Sequence, residues 1–160
     1  MDELSAVEER VAARLVERRW TVAVCESSTG GLISSTLLSL PGASRYFLGG
    51  AVVYTRDARR ILMSIPDDAM KGIRSASEPY ATLLASQIRQ RFSTVWGLSE
   101  TGATGPTGNR YGDAAGHCCM AVSGPQSAAI TLETGSSDRL ANMHEFASTA
   151  LNLLLKNLSL

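Results

Sequence analysis

Ser27 and Ser28 stand directly after a short apolar run, Thr21-Val22-Ala23-Val24-Cys25, and directly before Thr29-Gly30-Gly31. A serine hydroxyl becomes a nucleophile when a neighbouring group takes its proton, and glycine lets backbone amides approach a ligand closely. The apolar run, rich in β-branched residues, stops at Glu26 and gives way to a helix-like pattern, which predicts a strand–turn–helix junction. Open α/β sheets bind ligands at this edge, and helix N-termini attract anions. A second glycine/hydroxyl segment, residues 100–108, follows another apolar run at 95–98. The two segments predict a polar, phosphate-accepting site at the carboxyl edge of a sheet.

The rest of the chain limits who could assist a serine. Tyr54 ends a second predicted strand and is expected on the same edge, with Arg56, Asp57, Arg59 and Arg60 immediately after it. The histidines are His117 and His144, and neither has a ligand-spaced partner, so both a metal site and a Ser-His-Asp scheme find little support. Only Lys71 and Lys156 are lysines, and no Gly-Lys-Ser/Thr triplet or GxGxxG fingerprint occurs, which argues against a nucleoside triphosphatase or a dinucleotide site. Two plainer roles stand beside the chemical ones: helix capping and a tight turn for the Ser27 cluster, and packing for Tyr54. Glu26 is expected to be buried and hydrogen-bonded, since a buried carboxylate requires partners.

Positioning these residues requires a framework of some size. A chain of 160 residues with 44% apolar and 19% charged residues suits one domain spanning 1–160. Net charge is zero, so no broad basic field invites nucleic acid or an anionic membrane, and an anionic ligand needs a local site. Cys25, Cys118 and Cys119 lie in strand-like runs. Adjacent strand residues face opposite ways, which disfavours a Cys118–Cys119 disulfide and points to buried thiols in the cytoplasm. No signal-like or membrane-spanning run is evident in the sequence. Helical spacing of Leu4, Val7, Val11 and Leu15 predicts a helix over 3–19. Further helices are expected from 29 or 30 to 40, over 55–63, from 78 to 92 with Ser77 as N-cap, and over 138–157. The last carries Leu140, Met143, Phe146, Ala147, Ala150, Leu151 and Leu154 on its apolar face. Strands are expected at 21–25, 46–54, 95–98, 117–122 and 128–133, the last two as a hairpin. The order predicts an α/β fold, a three-layer α/β/α sandwich with a mixed, mainly parallel sheet.

Cys25-Glu26-Ser27-Ser28-Thr29-Gly30-Gly31 resembles the Ala-Glu-Ser-Cys-Thr-Gly-Gly signature of the CinA C-terminal domain family, the nicotinamide-nucleotide amidases. The resemblance continues through Pro41-Gly42-Ala43-Ser44, Gly50-Ala51-Val52-Val53-Tyr54-Thr55, Ala76-Ser77-Glu78, Thr101-Gly102-Ala103-Thr104-Gly105-Pro106-Thr107-Gly108, Gly116 and Asp138-Arg139. It implies an amidohydrolase of pyridine-nucleotide salvage and NAD metabolism. Such an enzyme converts nicotinamide mononucleotide to nicotinic acid mononucleotide and ammonia, without metal or cofactor. By position, Ser27 resembles the nucleophile and Tyr54 a catalytic or orienting hydroxyl. Amides of residues 29–31 are expected to assist the oxyanion. The substrate-binding set expected is Glu26, Ser28, Thr29, Gly30, Gly31, Thr101, Gly102, Gly105 and Arg139, with the glycine-rich loops and Arg139 on the 5′-phosphate.

Two positions depart from the family pattern. Ser28 replaces a cysteine, and Arg59 replaces a lysine. Arginine stays protonated in proteins, so Arg59 is expected to polarise or relay through Tyr54 rather than act as a base. An alternative therefore stays open: a catalytically weakened nucleotide-binding protein on the same fold. Expected partners are a small-molecule nucleotide and further copies of the chain, with no nucleic acid and no membrane.

Overall fold

Helix α1 (Glu3–Arg18) leads into strand β1 (Val22–Glu26), a fully buried strand whose apolar run explains both its length and its position inside the sheet. The computed structural model describes residues 3–159. After β1 come α2 (Leu32–Leu38), β2 (Phe47–Val52), α3 (Arg56–Met63), α4 (Glu78–Phe92), β3 (Trp96–Ala103), β4 (His117–Ser123), β5 (Ala128–Glu133) and α5 (Arg139–Leu158). The sheet order is β2-β1-β3-β4-β5. β1 pairs in parallel with β2 and β3, and β4 pairs antiparallel with β3 and β5. Only β4 therefore runs against the other four strands.

Helices α1, α2 and α5 cover one face of the sheet and α4 the other, with α3 packed on α4. The larger core joins Val11 and Leu15 of α1, Ile33 and Leu37 of α2, and Phe146, Leu151 and Leu154 of α5 to Val22, Val24, Leu98 and Met120 of the sheet. On the other face, Ala23 and Cys25 meet Tyr80, Leu84 and Ile88 of α4. Each fully buried Leu or Phe of this kind contributes about 1.5–3 kcal/mol by burial alone. Cys118 joins the first face and Cys119 the second, so the expected alternation holds, and all three thiols are free and buried. Burial, reinforced by the nearby Glu100 and Glu26 carboxyls, pushes the Cys25 thiol far up.

Caps explain several boundaries. Ser77 accepts a hydrogen bond from Tyr80 N at 3.3 Å, and Asp138 caps α5 by accepting from Ala141 N at 3.1 Å. The Gly49-Gly50 pair serves close approach. A Cβ at Gly49 would stand 2.5 Å from Phe92 Cε1, and one at Gly50 would stand 2.9 Å from Val24 O. The β1–β2 register also shifts between Val22 and Ala23.

Three expectations need correction. α2 begins at Leu32, not at 29 or 30, because Gly30 and Gly31 take left-handed φ values of 64° and 106°. β3 continues through Glu100, Thr101, Gly102 and Ala103, which were expected in a loop, because antiparallel pairing with β4 extends the strand. Leu140 is 64% exposed, and Asn142 is the residue of that turn that is buried. The side chain of Leu4, assigned to the apolar face of α1, lies outside the described residues.

Candidate functional site

Because β1, β2 and β3 run in parallel side by side, their carboxyl ends lie together, and the chain leaves β1 toward β2 on one side and adds β3 on the other. This is a topological switch point, where open sheets place a crevice. Ser27 follows β1, Tyr54 follows β2, and Thr101 and Gly102 sit at the end of β3; all four line one cavity of about 640 Å³. Arg56 and Arg59 of α3 line it as well.

The turn after β1 is held by two buried carboxyls. Glu100, fully buried on β3, accepts from the backbone N–H groups of Ser27 (2.9 Å), Ser28 (3.2 Å) and Thr29 (3.1 Å), and from the hydroxyls of Ser28 and Thr29. Glu26 accepts from Gly31 N (3.2 Å), Ile33 N (2.9 Å) and Ser34 N (2.8 Å), thereby capping α2. The Thr29 hydroxyl stands 2.6 Å from Glu26 and 2.8 Å from Glu100. One hydroxyl donates one proton, so satisfying both contacts requires a proton on one of the carboxyls. Burial raises the Glu100 carboxyl above its ordinary range, against the pull of the hydrogen bonds that it accepts.

This arrangement overturns the expected oxyanion role for residues 29–31. The amides of Thr29 and Gly31 are spent on Glu100 and Glu26, and that of Gly30 on Ser27 O. The anion-binding end of α2 is filled by the chain's own Glu26. Ser28 and Thr29 are buried with their hydroxyls turned to the same carboxyls, so they shape the turn. Ser27 differs: it is half-buried, lines the cavity, and its hydroxyl makes no hydrogen bond among the described residues.

Arg59 is buried and spoken for. Its Nε donates to Ile65 O at 3.3 Å and its Nη2 pairs with Asp67. Lys71 is exposed and does not line the cavity. Arg139, expected on the phosphate, stands outside the lining. It donates to Gly105 O and, at 3.4 Å, to the hydroxyl of Tyr54, so it and Gly105 anchor the rim. Thr101, almost fully buried, accepts from Ala76 N at 3.1 Å.

Sequence reasoning missed the opposite wall, made by Arg74, Asn109, Arg110, Tyr111 and Tyr80. Arg74 grips Asp113 with both Nη atoms (2.7 and 3.1 Å), which holds that carboxyl below its usual range. Burial pushes the Tyr80 phenol up to about 12. Arg and Tyr in a surface loop carry no periodic signal, and only the fold brings residues 109–111 over the end of β1.

Beside this wall, His117 is nearly buried between acceptors: Nε2 lies 2.7 Å from Ala76 O and 3.6 Å from Asp113, and Nδ1 pairs with Glu133. Burial opposes the imidazolium, but these partners win and lift its pKa above the usual value of about 6.5. A raised folded-state pKa contributes stability that is fully present below about pH 6.5 and lost as pH rises through the folded value. His117→Gln is thus expected to flatten the fall in urea midpoint between about pH 6 and pH 9; a fall as steep as the wild type's would refute this.

The geometry defines a class first: a three-layer α/β domain with a ligand crevice at its switch point, walled by cations. A family model described as the CinA C-terminal domain matches residues 4–158, and the chain belongs to that family. Among curated relatives, the CinA-like protein of Gloeobacter violaceus is 37% identical over 126 residues, covering 78% of this chain and 30% of the relative. That of Acidobacterium capsulatum is 36% identical over 152 residues, covering 95% and 37%. The chain thus spans about a third of the length of these relatives. Among solved structures, a competence-damaged protein (CinA) superfamily protein from Klebsiella pneumoniae superposes with a TM-score of 0.91 at 21% identity, covering 98% of both chains. A competence/damage inducible protein from Agrobacterium tumefaciens gives 0.91 at 23% identity, covering 100% of this chain and 98% of the other. At such identities the likeness shows the fold.

Proposed function

We propose that the cavity binds a pyridine mononucleotide and that Ser27 attacks its carboxamide, releasing ammonia and leaving nicotinic acid mononucleotide. The single observation that carries this reading is the Ser27 hydroxyl, the one polar side chain of the β1 turn left unengaged by Glu26 and Glu100 and facing the cavity. In the step proposed, the Ser27 Oγ–carbonyl bond forms, the carbon–nitrogen bond breaks, and the serine proton leaves with ammonia. Water then hydrolyses the ester to the acid and restores Ser27. Tyr54, on the same wall and held by Arg139, is the hydroxyl through which that proton would pass. Of the lining arginines, Arg56 and Arg110 make no ion pair among the described residues and are the available counter-charge for the oxyanion, since the turn's amides are occupied.

One observation favours a second reading, a nucleotide-binding protein with weak turnover: Arg59 is fixed by Asp67 and Ile65 and no lysine reaches the cavity. Ammonia release from nicotinamide mononucleotide by the wild type separates the two. Under the amidase reading it exceeds the uncatalysed rate, and Arg59→Lys, which replaces a guanidinium with an amine able to give up its proton, accelerates it by about tenfold or more. Calorimetric binding without turnover in either protein would establish the binding reading.

A further inference from the structure

We infer that the Tyr80 hydroxyl donates a hydrogen bond to the carbonyl oxygen of the bound carboxamide, and to the oxyanion formed there, and so selects ligands that carry a carbonyl on the ring. The amidase reading supplies only the identity of that carbonyl; the donor is argued from burial and hydrogen-bond satisfaction.

Tyr80 lies in the first turn of α4 and is only 4% exposed. It belongs to the apolar cluster that contains Ala23, Cys25 and Val53. Cys25 stands two positions before Ser27, so Tyr80 is rooted beside the turn that presents the nucleophile. A buried hydroxyl ordinarily has a partner. Of the three tyrosines lining the cavity, Tyr54 accepts from Arg139 and Tyr111 from Arg110. The Tyr80 hydroxyl makes no hydrogen bond among the described residues. Nor is it sealed in the core: among the described residues, only Trp96 Nε1 is a fully enclosed side-chain polar atom without a partner. The Tyr80 oxygen therefore opens on the cavity that Ser27 also lines.

A phenol in this place has a proton to donate. Burial pushes its pKa up to about 12, against the pull of the Arg59 guanidinium, so it stays neutral at physiological pH. The oxyanion needs such a donor, because the amides of residues 29–31 are spent on Glu100, Glu26 and Ser27 O. Arg56 and Arg110 supply charge, and Tyr80 supplies an uncharged donor whose position is set by packing before the ligand arrives. No proton passes from Tyr80; the serine proton leaves with ammonia by way of Tyr54.

Calorimetry with two analogues tests the contact. In 3-acetylpyridine mononucleotide the carbonyl is kept without an amide, and in pyridine mononucleotide it is missing. Expected is tighter wild-type binding of the acetyl analogue by about three- to tenfold, the worth of one neutral hydrogen bond. Tyr80→Phe keeps the ring and erases that difference, and its urea midpoint is no lower than the wild type's because the hydroxyl has no partner to lose. With nicotinamide mononucleotide, the same variant lowers kcat by about 10²-fold or more, well beyond its effect on KM. Ammonia release by the wild type reports separately on the amidase reading, since neither analogue carries an amide. A wild type that binds the two analogues equally would overturn the contact. So would a difference between them that survives Tyr80→Phe.

Discussion

Ser27→Ala is expected to lower ammonia release from nicotinamide mononucleotide by at least about 10³-fold while leaving the protein as stable as the wild type. Both halves follow from the same geometry. The Ser27 hydroxyl has no hydrogen-bond partner among the described residues, so its removal costs the fold almost nothing, whereas Ser27 N, which Glu100 holds, is retained in alanine. The neighbouring Ser28→Ala reads the opposite way: it removes a hydrogen bond to Glu100 and lowers stability by about 1–3 kcal/mol while sparing the reacting atom. Steady-state ammonia assays beside urea titrations measure both quantities. Turnover by Ser27→Ala within a few-fold of the wild type would remove serine as the nucleophile.

Glu100→Ala carries the largest expected cost in stability. Five donors converge on this carboxyl, three from backbone and two from hydroxyls, in a fully buried place. Each buried donor left without a partner costs about 1–3 kcal/mol, so even partial rescue by water leaves a loss comparable with the whole stability of about 5–15 kcal/mol of an ordinary domain. Glu100→Gln keeps one acceptor oxygen but turns an N–H₂ toward donors, and is expected to fall between alanine and the wild type. Urea midpoints for the two variants, or the soluble yield where alanine does not fold, decide the matter. A midpoint for Glu100→Ala close to that of the wild type would contradict the account of the turn.

The same turn shows how far sequence reaches. The apolar run before Glu26 and the glycines after it announce a strand and a turn in local terms, because strand burial and left-handed φ each restrict residue type at single positions. Glu26 was legible as a buried, bonded carboxylate because it closes an apolar strand run, and a carboxylate buried there requires partners. Glu100 was not: its partners lie 71 to 73 residues away, and nothing local distinguishes it from a solvated loop glutamate. Its strand was cut short for a related reason, since Gly102 is a poor strand former and the glycines that follow read as a loop, while pairing with Cys119 and Cys118 of β4 holds Thr101 and Gly102 in β3.

What the sequence by itself determined is the set of elements, their order, the α/β class and the edge at which Ser27 and Tyr54 meet. Each follows from periodicity, caps and turn residues that act over a few positions. The tertiary structure decided which polar groups are spent and which are free. It assigned the amides of residues 29–31 to Glu26 and Glu100, fixed Arg59 on Asp67, drew Arg139 to the rim, and placed Arg110 opposite Arg56. Hydrogen-bond satisfaction and charge compensation are sums over neighbours in space, and a sequence names those neighbours only once it has folded.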